Sequence, residues 1–279
     1  MFRLSTRRAL LRPLSAFPAR AVATSTVHPP PPAEAPRKTP AAPSPVRAPP
    51  ETLKLLSRLH ARSKGAGAEM AGVDSVAVRE YDGQADRIVA LSEDKAYFVY
   101  SIIRAARGTR VVVIGAGFGV GTVYCALAAQ DNARDLGKGR PRVVATEYRR
   151  MKVQQAREVW NEAGVSGITE VLEGDLAETL KDAALKDIDF VLLDGEPMVM
   201  MFWWAQLMPD WTPKALPALK LLQPHLRPGA TIVANDTAVD ADAYAEFLQY
   251  VDKDNAFQRI SIPYLGGLTM MTYYPQQQK

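Results

Sequence analysis

Residues 111–122, which read VVVIGAGFGVGT, constrain the fold of this chain more than any other stretch. Four β-branched residues end at Gly115, and glycines recur at positions 117, 119 and 121 before an apolar helical pattern begins. A continuous apolar run bounded by glycine is typical of a strand buried on both faces. Glycines permit a sharp turn and a close approach to a ligand, and the start of the following helix attracts negative groups. The stretch therefore predicts a loop that binds a nucleotide-like cofactor.

Strand patterns and helical patterns alternate along the rest of the chain. Besides 111–114, strands are predicted at 143–146, 168–172, 188–193, 230–234, 257–262 and 268–274. Helices are predicted at 51–62, from 92 to near 108, from 122 onward, and at 149–163, 176–184, 213–226 and 241–251, with a loop at 63–72 and a turn at Pro228-Gly229. Such alternation predicts an α/β fold with a mostly parallel, seven-stranded sheet covered by helices on both faces.

Polar residues stand at the carboxyl ends of successive predicted strands. The glycine loop follows the first strand, Glu147 the second, Asp175 the third, Asp194 the fourth and the pair Asn235-Asp236 the fifth. Ligands of parallel sheets bind beyond these strand ends. Because the strands themselves carry little polarity, these residues are expected to share one site.

Two common nucleotide-binding patterns do not fit the loop. A dinucleotide fingerprint, G-x-G-x-x-G, would need a third glycine at the position of Val120, and its acid would follow by about 20 residues. Here Glu147 comes 32 residues after Gly115. A phosphate-binding P-loop is excluded because no Gly-Lys-Ser/Thr follows the glycines.

Charge and cysteine content narrow the class of protein. The first 50 residues hold eight basic residues and one acidic residue, whereas the other 229 hold 26 basic and 29 acidic residues. The folded part is thus slightly acidic, which gives no support for nucleic-acid binding. No apolar run reaches the roughly 20 residues of a membrane helix. The single cysteine, Cys125, allows no intrachain disulfide and is predicted to be a buried, inert thiol.

The first 50 residues divide into two segments. Residues 1–28 are rich in arginine, serine and alanine and lack acids, which is the composition of a mitochondrial transit peptide and predicts a location in the matrix. A basic tail without a targeting role is the alternative. Residues 29–50 are rich in proline and are predicted to be an extended, disordered linker. The folded domain is expected at 51–279.

The chain resembles a known family of enzymes. The ordered set LSEDKAYFVYSII, VVIGAGFGVGTVYCALA, VVATEY, EVLEGDLAETL, DFVLLDG and LRPGATIVANDT is similar to class I S-adenosylmethionine-dependent O-methyltransferases of the catechol O-methyltransferase-like group. The resemblance covers residues ~85–275. It implies the Rossmann-like class I methyltransferase fold and methyl transfer to oxygen on a small aromatic or phenolic molecule.

The resemblance also implies roles for residues of the cofactor site. Gly115, Gly117 and Gly119 would border the methionine part of S-adenosylmethionine, and Glu147 would accept hydrogen bonds from the ribose hydroxyls. Two further residues complete the implied adenosine site: Tyr148 would pack against adenine, and Asp175 would lie near the adenine amine. A solvated acid at a helix N-terminus is the alternative for Glu147.

Metal-dependent members of the family hold Mg²⁺ with two acids and an amide, and the ion polarises the acceptor hydroxyl. Asp194, Asn235 and Asp236 match those positions, with Asp194 also a catalytic candidate. The alternative is that Asn235 and Asp236 cap the following helix.

The chain departs from the family pattern near Asp194. Relatives often carry a catalytic lysine three residues later, where this chain has Pro197, and Lys214 is the candidate replacement. The inserted stretch 196–211 is rich in methionine and tryptophan. It is interpreted as a lid over an apolar substrate, as a homodimer contact, or as part of the core. Relatives also often have an acid where this chain has Val113.

Two functions follow. The first is an S-adenosylmethionine-dependent O-methyltransferase with a small-molecule substrate. The second, motivated by the missing lysine and strand acid and by the insertion, is a non-catalytic binding or assembly protein on a methyltransferase scaffold.

Overall fold

The computed structural model describes residues 43–71, 90–182, 184–194, 215–239 and 241–275, with only the backbone of 65–71 and 182. Residues 43–279 belong to one compact unit. This unit begins before position 51, because Val46 is buried and the backbone N–H of Arg47 donates to the Tyr100 hydroxyl at 3.3 Å. The segment just before the first helix therefore packs against the domain.

The described residues form seven α-helices and seven β-strands. The helices are α1 (Pro50–Ala71), α2 (Glu93–Ala105), α3 (Val120–Asp135), α4 (Arg150–Glu162), α5 (Leu176–Asp182), α6 (Ala215–Leu222) and α7 (Ala241–Lys253). The strands are β1 (Arg110–Ile114), β2 (Arg142–Glu147), β3 (Thr169–Glu173), β4 (Ile188–Leu193), β5 (Leu226–Asn235), β6 (Phe257–Ile262) and β7 (Leu268–Tyr273). The seven predicted strands are thus confirmed.

All seven strands join one sheet in the order β3-β2-β1-β4-β5-β7-β6. The first five of these are parallel, and β7 runs antiparallel to both β5 and β6. The predicted mostly parallel, seven-stranded, Rossmann-like sheet is therefore confirmed. The chain reverses direction across the sheet between β1 and β4, so the carboxyl ends of these two strands flank a crevice.

The sheet separates two hydrophobic cores. Alternate residues of β1 divide between them: Val111 and Val113 pack with α1, α2, α3 and α4, whereas Val112 and Ile114 pack with α5, α6 and α7. This division follows from the two-residue period of a strand, because both faces of β1 are covered and its side chains alternate between them. The β-branched run predicted to be buried on both faces is buried on both faces.

Two local predictions were wrong. The stretch 63–71, expected to be a loop, continues α1 through Ala71 despite two glycines, because the alanines beside them are strong helix formers. Pro228 and Gly229, expected to form a turn, lie within β5 instead. The register of β4 against β5 shifts between Ile188 and Phe190, and Gly229 has a φ of 82°, so the irregularity is absorbed inside the strand.

Among the described helices, none combines the length and the apolar character needed to cross a membrane.

Candidate functional site

The glycine loop connects β1 to α3 and has the backbone that only glycine adopts readily. Gly115, Gly117 and Gly119 have φ values of 89°, 51° and 85°. A Cβ built on Gly117 would meet no atom of the described residues within 4 Å, so these residues leave the space above the loop open. A Cβ on Gly119 would lie 2.7 Å from Trp160 Nε1 and 3.0 Å from the Ala156 backbone. Gly119 thus lets the loop pack closely on α4.

Glu147 ends β2 and faces the glycine loop. Its Oε2 accepts a hydrogen bond of 3.0 Å from the backbone N–H of Gly117, and its Oε1 accepts bonds of 3.0 Å from the N–H groups of Tyr148 and Arg149. The residue is only 8% exposed. The carboxylate is therefore held against the loop by three backbone donors, in the position from which it can reach a ligand above Gly117.

The two other predicted adenosine contacts lie toward the outside of this edge. Tyr148 is 50% exposed, and Arg149 lies over its ring with Nε donating to the Tyr148 hydroxyl at 2.8 Å. Asp175 is exposed and caps α5, because its Oδ1 accepts from the backbone N–H of Ala177 at 2.8 Å. The surface location leaves Tyr148 accessible to a flat ligand, whereas the visible role of Asp175 is to begin a helix.

The predicted metal-binding residues do come together at the ends of β4 and β5. Asn235 Nδ2 donates to Asp194 Oδ1 at 2.9 Å and to Asp236 Oδ2 at 3.1 Å. Asp194 also adjoins the first turn of α3, just after the glycine loop, because a Cβ built on Gly121 would lie 3.3 Å from its Oδ2. One continuous site therefore runs from Glu147 across the glycine loop to the cluster of Asp194, Asn235 and Asp236, which is called the acidic cluster below.

Lys95 completes the acidic cluster and was not predicted. It lies in the first turn of α2, and its Nζ donates to Asn235 Oδ1 at 2.6 Å and to Asp236 Oδ1 at 2.7 Å. Its side chain is only 4% exposed. The one available signal was its position in the stretch LSEDKAYF, where the acids Glu93 and Asp94 were interpreted only as the start of a helix.

The electrostatics of the acidic cluster reflect its burial. Removal from water raises the pKa of Asp194 to about 6. The hydrogen bond from Asn235 opposes this rise in pKa, the charge of Asp236 adds to it, and the charge of Lys95 opposes it. Burial also raises the pKa of the Cys125 thiol on α3, which confirms the prediction that this residue is buried and makes it a poor nucleophile.

The acidic cluster does not fit Mg²⁺ as it stands. Two of the oxygens expected to bind the ion, on Asn235 and Asp236, already accept hydrogen bonds from Lys95. Within the described part of the chain, no three histidine, cysteine, aspartate or glutamate side chains are grouped as a metal site would require. The ammonium group of Lys95 instead binds the Asn235 and Asp236 oxygens that a metal ion would use.

Several predicted features lie outside the described residues. These are Pro197, the candidate base Lys214 and the methionine- and tryptophan-rich stretch 196–211. The interpretation of that stretch as a lid, a homodimer contact or part of the core stays a prediction.

Comparison with known proteins agrees with this architecture. Residues 112–237 match the sequence profile of a family described as a methyltransferase domain. These residues extend from β1 to just beyond Asp236, so they span both the glycine loop and the acidic cluster. No curated protein sequence matches the chain.

Many solved structures share the fold. The O-methyltransferase TomG from Streptomyces achromogenes, in complex with SAM, is 18% identical with a TM-score of 0.58, over 82% of this chain and 92% of TomG. Cofactor-bound Rv0187 from MTB is 22% identical with a TM-score of 0.57, over 74% and 92%. An O-methyltransferase from Bacillus cereus in complex with SAH is 14% identical with a TM-score of 0.56, over 78% and 99%. At these identities the similarity establishes the fold.

Proposed function

We propose that this chain is a class I S-adenosylmethionine-dependent methyltransferase that methylates a hydroxyl oxygen on a small aromatic molecule. The match of residues 112–237 to a methyltransferase-domain family and the fold shared with a SAM-bound O-methyltransferase support this proposal. The observation that carries this proposal is the continuity of the site. Glu147 contacts the glycine loop at Gly117, and Asp194 adjoins Gly121 in the first turn of α3, directly after that loop. Glu147, which can bind the cofactor, and Asp194, which can accept a proton, therefore lie on either side of the glycine loop.

The residues of the loop fit S-adenosylmethionine. Gly117 leaves open space where any other residue would place a side chain, and the start of α3 lies beside it. Glu147 presents a carboxylate, which can accept two hydrogen bonds from the vicinal hydroxyls of a ribose. When bound, the cofactor supplies a methyl group on a positively charged sulfur.

The reaction requires the acceptor hydroxyl to lose its proton. A new bond forms between the acceptor oxygen and the methyl carbon as the carbon–sulfur bond breaks, and the electron pair of that bond stays on sulfur. Asp194 is the carboxylate that follows β4 beside the start of α3, and it accepts the hydroxyl proton. Alignment of oxygen and methyl group supplies much of the rate enhancement.

An aromatic acceptor is supported by the side chains beside the acidic cluster. Phe98 lies one turn after Lys95 on the same face of α2. Its ring meets the Tyr264 ring edge-on, with centroids 5.8 Å apart. Tyr264 precedes Gly266, which contacts Asp236. Flat apolar rings thus adjoin the charged groups, which favours a ligand that has one apolar face and one hydroxyl.

The first test is cofactor binding. Calorimetric titration with S-adenosylhomocysteine should show one site, and Glu147→Ala should weaken it roughly 30- to 100-fold, because two hydrogen bonds to a charged acceptor are lost. Glu162→Ala is the matched control, since Glu162 makes an exposed ion pair with Arg58. Equal affinity in both variants, or no binding by the unmodified protein, would contradict the cofactor assignment.

Turnover then separates the two candidate functions. We expect methylation of at least one member of a panel of phenols and catechols, measured as production of S-adenosylhomocysteine. Cofactor binding without turnover on phenols, catechols or amines would instead support the non-catalytic scaffold. Turnover on amines alone would place the methyl group on nitrogen.

A further inference from the structure

The buried Lys95 is the feature of the site that the methyltransferase assignment leaves unexplained. Residue 95 is 140 positions from Asn235 in sequence, yet its Nζ donates to Asn235 Oδ1 at 2.6 Å and to Asp236 Oδ1 at 2.7 Å. Its side chain is 4% exposed. Burying an ammonium group is costly unless it is paired and hydrogen-bonded, so this pairing is what holds the charge there.

The acidic cluster is organised around a positive charge. An ammonium group only donates hydrogen bonds and a carboxylate only accepts them, so the Asn235 amide must turn its oxygen to Lys95 and its Nδ2 to Asp194 and Asp236. This is the orientation observed. The amide of Asn235 thus bridges Lys95 and Asp194. Among the hydrogen bonds of the described residues, none joins Asp194 directly to the lysine.

The backbone around the acidic cluster is shaped to admit the lysine. Gly266 has a φ of 79°, and a Cβ there would lie 2.5 Å from Asp236 Oδ1 and 3.4 Å from Lys95 Nζ. Any other residue would therefore press against the pair. The N–H of Asp236 donates to the Gly267 carbonyl at 3.0 Å, which fixes the acid from the opposite side.

The lysine and a divalent ion compete for the same atoms. Mg²⁺ needs oxygen ligands at about 2.1 Å, in a nearly octahedral arrangement. An ion bound to Asn235 Oδ1 and Asp236 Oδ1 would therefore lie within about 5 Å of Nζ, with a positive charge next to a positive charge. Binding the metal would require the ammonium group to leave a buried site in which it donates two hydrogen bonds.

We propose that Lys95 is the resident cation of the acidic cluster, so that the site works without a divalent metal and the lysine supplies the positive charge facing the acceptor oxygen. This inference rests on the proposed function. A fixed ammonium group favours the oxygen as it becomes negative, and it needs no reorganisation during the reaction. An ammonium has three N–H donors, and the described residues accept two of them.

The direct test measures metal binding rather than activity. The full-length protein, saturated with S-adenosylhomocysteine, is titrated with Mn²⁺, and free Mn²⁺ is followed by electron paramagnetic resonance. We expect no stoichiometric binding below about 1 mM Mn²⁺, whereas the neutral variant Lys95→Met should bind Mn²⁺ at least tenfold more tightly because the carboxylates of the acidic cluster lose their cation. Stoichiometric, micromolar binding by the unmodified protein would overturn the proposal.

Activity gives a second, independent readout. Turnover of the best phenolic acceptor should change less than twofold on adding EDTA, and Lys95→Met should lower kcat at least 100-fold. Lys95→Arg should retain more activity than Lys95→Met because it keeps the charge. Lys64→Met is the control, since Lys64 is an exposed residue of α1 paired with Glu93. Loss of turnover with EDTA, or a Lys95→Met variant as active as the control, would refute the role of the lysine.

The outcomes separate this inference from the function on which it rests. Absence of S-adenosylhomocysteine binding would defeat the proposed function, whereas cofactor binding with tight Mn²⁺ binding would defeat only the inference about Lys95. Should Lys95→Met fail to fold, as a thermal melt would show, the Mn²⁺ titration of the unmodified protein still decides the question.

Discussion

A single histidine joins the first helix to the interior of the domain. His60 of α1 is buried, and its Nε2 shares a hydrogen bond of 2.8 Å with the hydroxyl of Tyr124 on α3. Burial raises the pKa of Tyr124, so this hydroxyl keeps its proton, and burial lowers the pKa of His60. The neutral imidazole is therefore the form that the fold accommodates.

This pair predicts a pH-dependent stability. Because the pKa of His60 is lower in the folded state than its unfolded value of 6.5, the unfolded protein binds more protons as the pH falls below that value. The contribution of His60 to stability is thus present above pH 6.5 and is lost on acidification. In urea titrations at pH 7.5, His60→Phe should lower the free energy of unfolding by about 1–3 kcal/mol, since the Tyr124 hydroxyl loses its partner.

The same titrations at pH 5 provide the contrast. The difference between the unmodified protein and His60→Phe should shrink, because acid has already removed what the histidine contributes. His225→Phe is the control, since His225 is exposed and surface substitutions usually change stability by under about 0.5 kcal/mol. If the two proteins differed in free energy of unfolding by the same amount at pH 7.5 and at pH 5, the stabilising role of neutral His60 would be contradicted.

At the scale of single residues, the sequence was informative where a residue's role depends on its neighbours along the chain. Glu147, Asp194 and Asn235 were predicted at one site because each follows a strand, and the structure places them along one continuous edge. Lys95 was missed because its partners come from β5, far away in sequence, and nothing in the helical period says what α2 packs against. The sequence instead suggested Lys214 as the replacement for the lysine that relatives carry at the position of Pro197.

At the scale of elements, the contact between the glycine loop and α4 is the tightest constraint on the cofactor side. Trp160 Nε1 donates to the Gly119 carbonyl at 3.1 Å, and no room remains for a side chain at Gly119. A sequence pattern shows that a glycine is present, but it cannot show whether a ligand or a neighbouring helix excludes a side chain there. At Gly119 the excluding element is α4, whereas the described residues leave open space at Gly117.

A pair of glycine substitutions tests this distinction. Gly119→Ala should lower the free energy of unfolding by about 3 kcal/mol or more, because a positive φ of 85° and a contact of 2.7 Å act together. Gly137→Ala should cost only about 1 kcal/mol, since its φ is 60° but its surroundings are open. Thermal or urea unfolding of the two variants measures the difference, and equal losses would show that backbone strain alone matters.

The elements also show what local patterns cannot decide. Strands such as β1 and β4 were predicted nearly to their ends because an apolar run stops abruptly at a polar residue. Two other features were not predicted. Helix propensity extended α1 past two glycines, and pairing with β4 continued β5 through Pro228-Gly229, although both stretches carry a usual turn signal.

In the whole molecule, the carboxyl ends and the amino ends of the parallel strands have different roles. The carboxyl edge holds the candidate site, whereas the amino edge is held together by Asp189 of β4. Its Oδ2 accepts hydrogen bonds from the backbone N–H groups of Thr109 at 2.6 Å and Arg110 at 2.9 Å, and its Oδ1 pairs with the Arg227 guanidinium. Asp189 is 5% exposed and thus links β1, β4 and β5 through one buried carboxylate.

This division predicts that stability and binding can be separated by mutation. Asp189→Asn should lower the free energy of unfolding by about 2–4 kcal/mol, because a buried carboxylate loses its charge and its pairing with the partly exposed Arg227. The S-adenosylhomocysteine affinity of the folded protein should change less than threefold. Asp187→Asn is the matched control, since the Asp187 side chain is 76% exposed and pairs with Arg110 at the surface. A large loss of affinity in Asp189→Asn would show that the two edges are coupled.

The position of β7 has a consequence for how the molecule is made. Among the described strands β7 comes last along the chain, yet in the sheet it lies between β5 and β6. Until it is synthesised, β6 has no neighbour to pair with, and Asp236 lacks the Gly267 carbonyl that anchors its backbone. During translation the glycine loop can therefore form early, whereas the acidic cluster is assembled only when the final strand is inserted, so a ribosome-bound chain without β7 has an incomplete site.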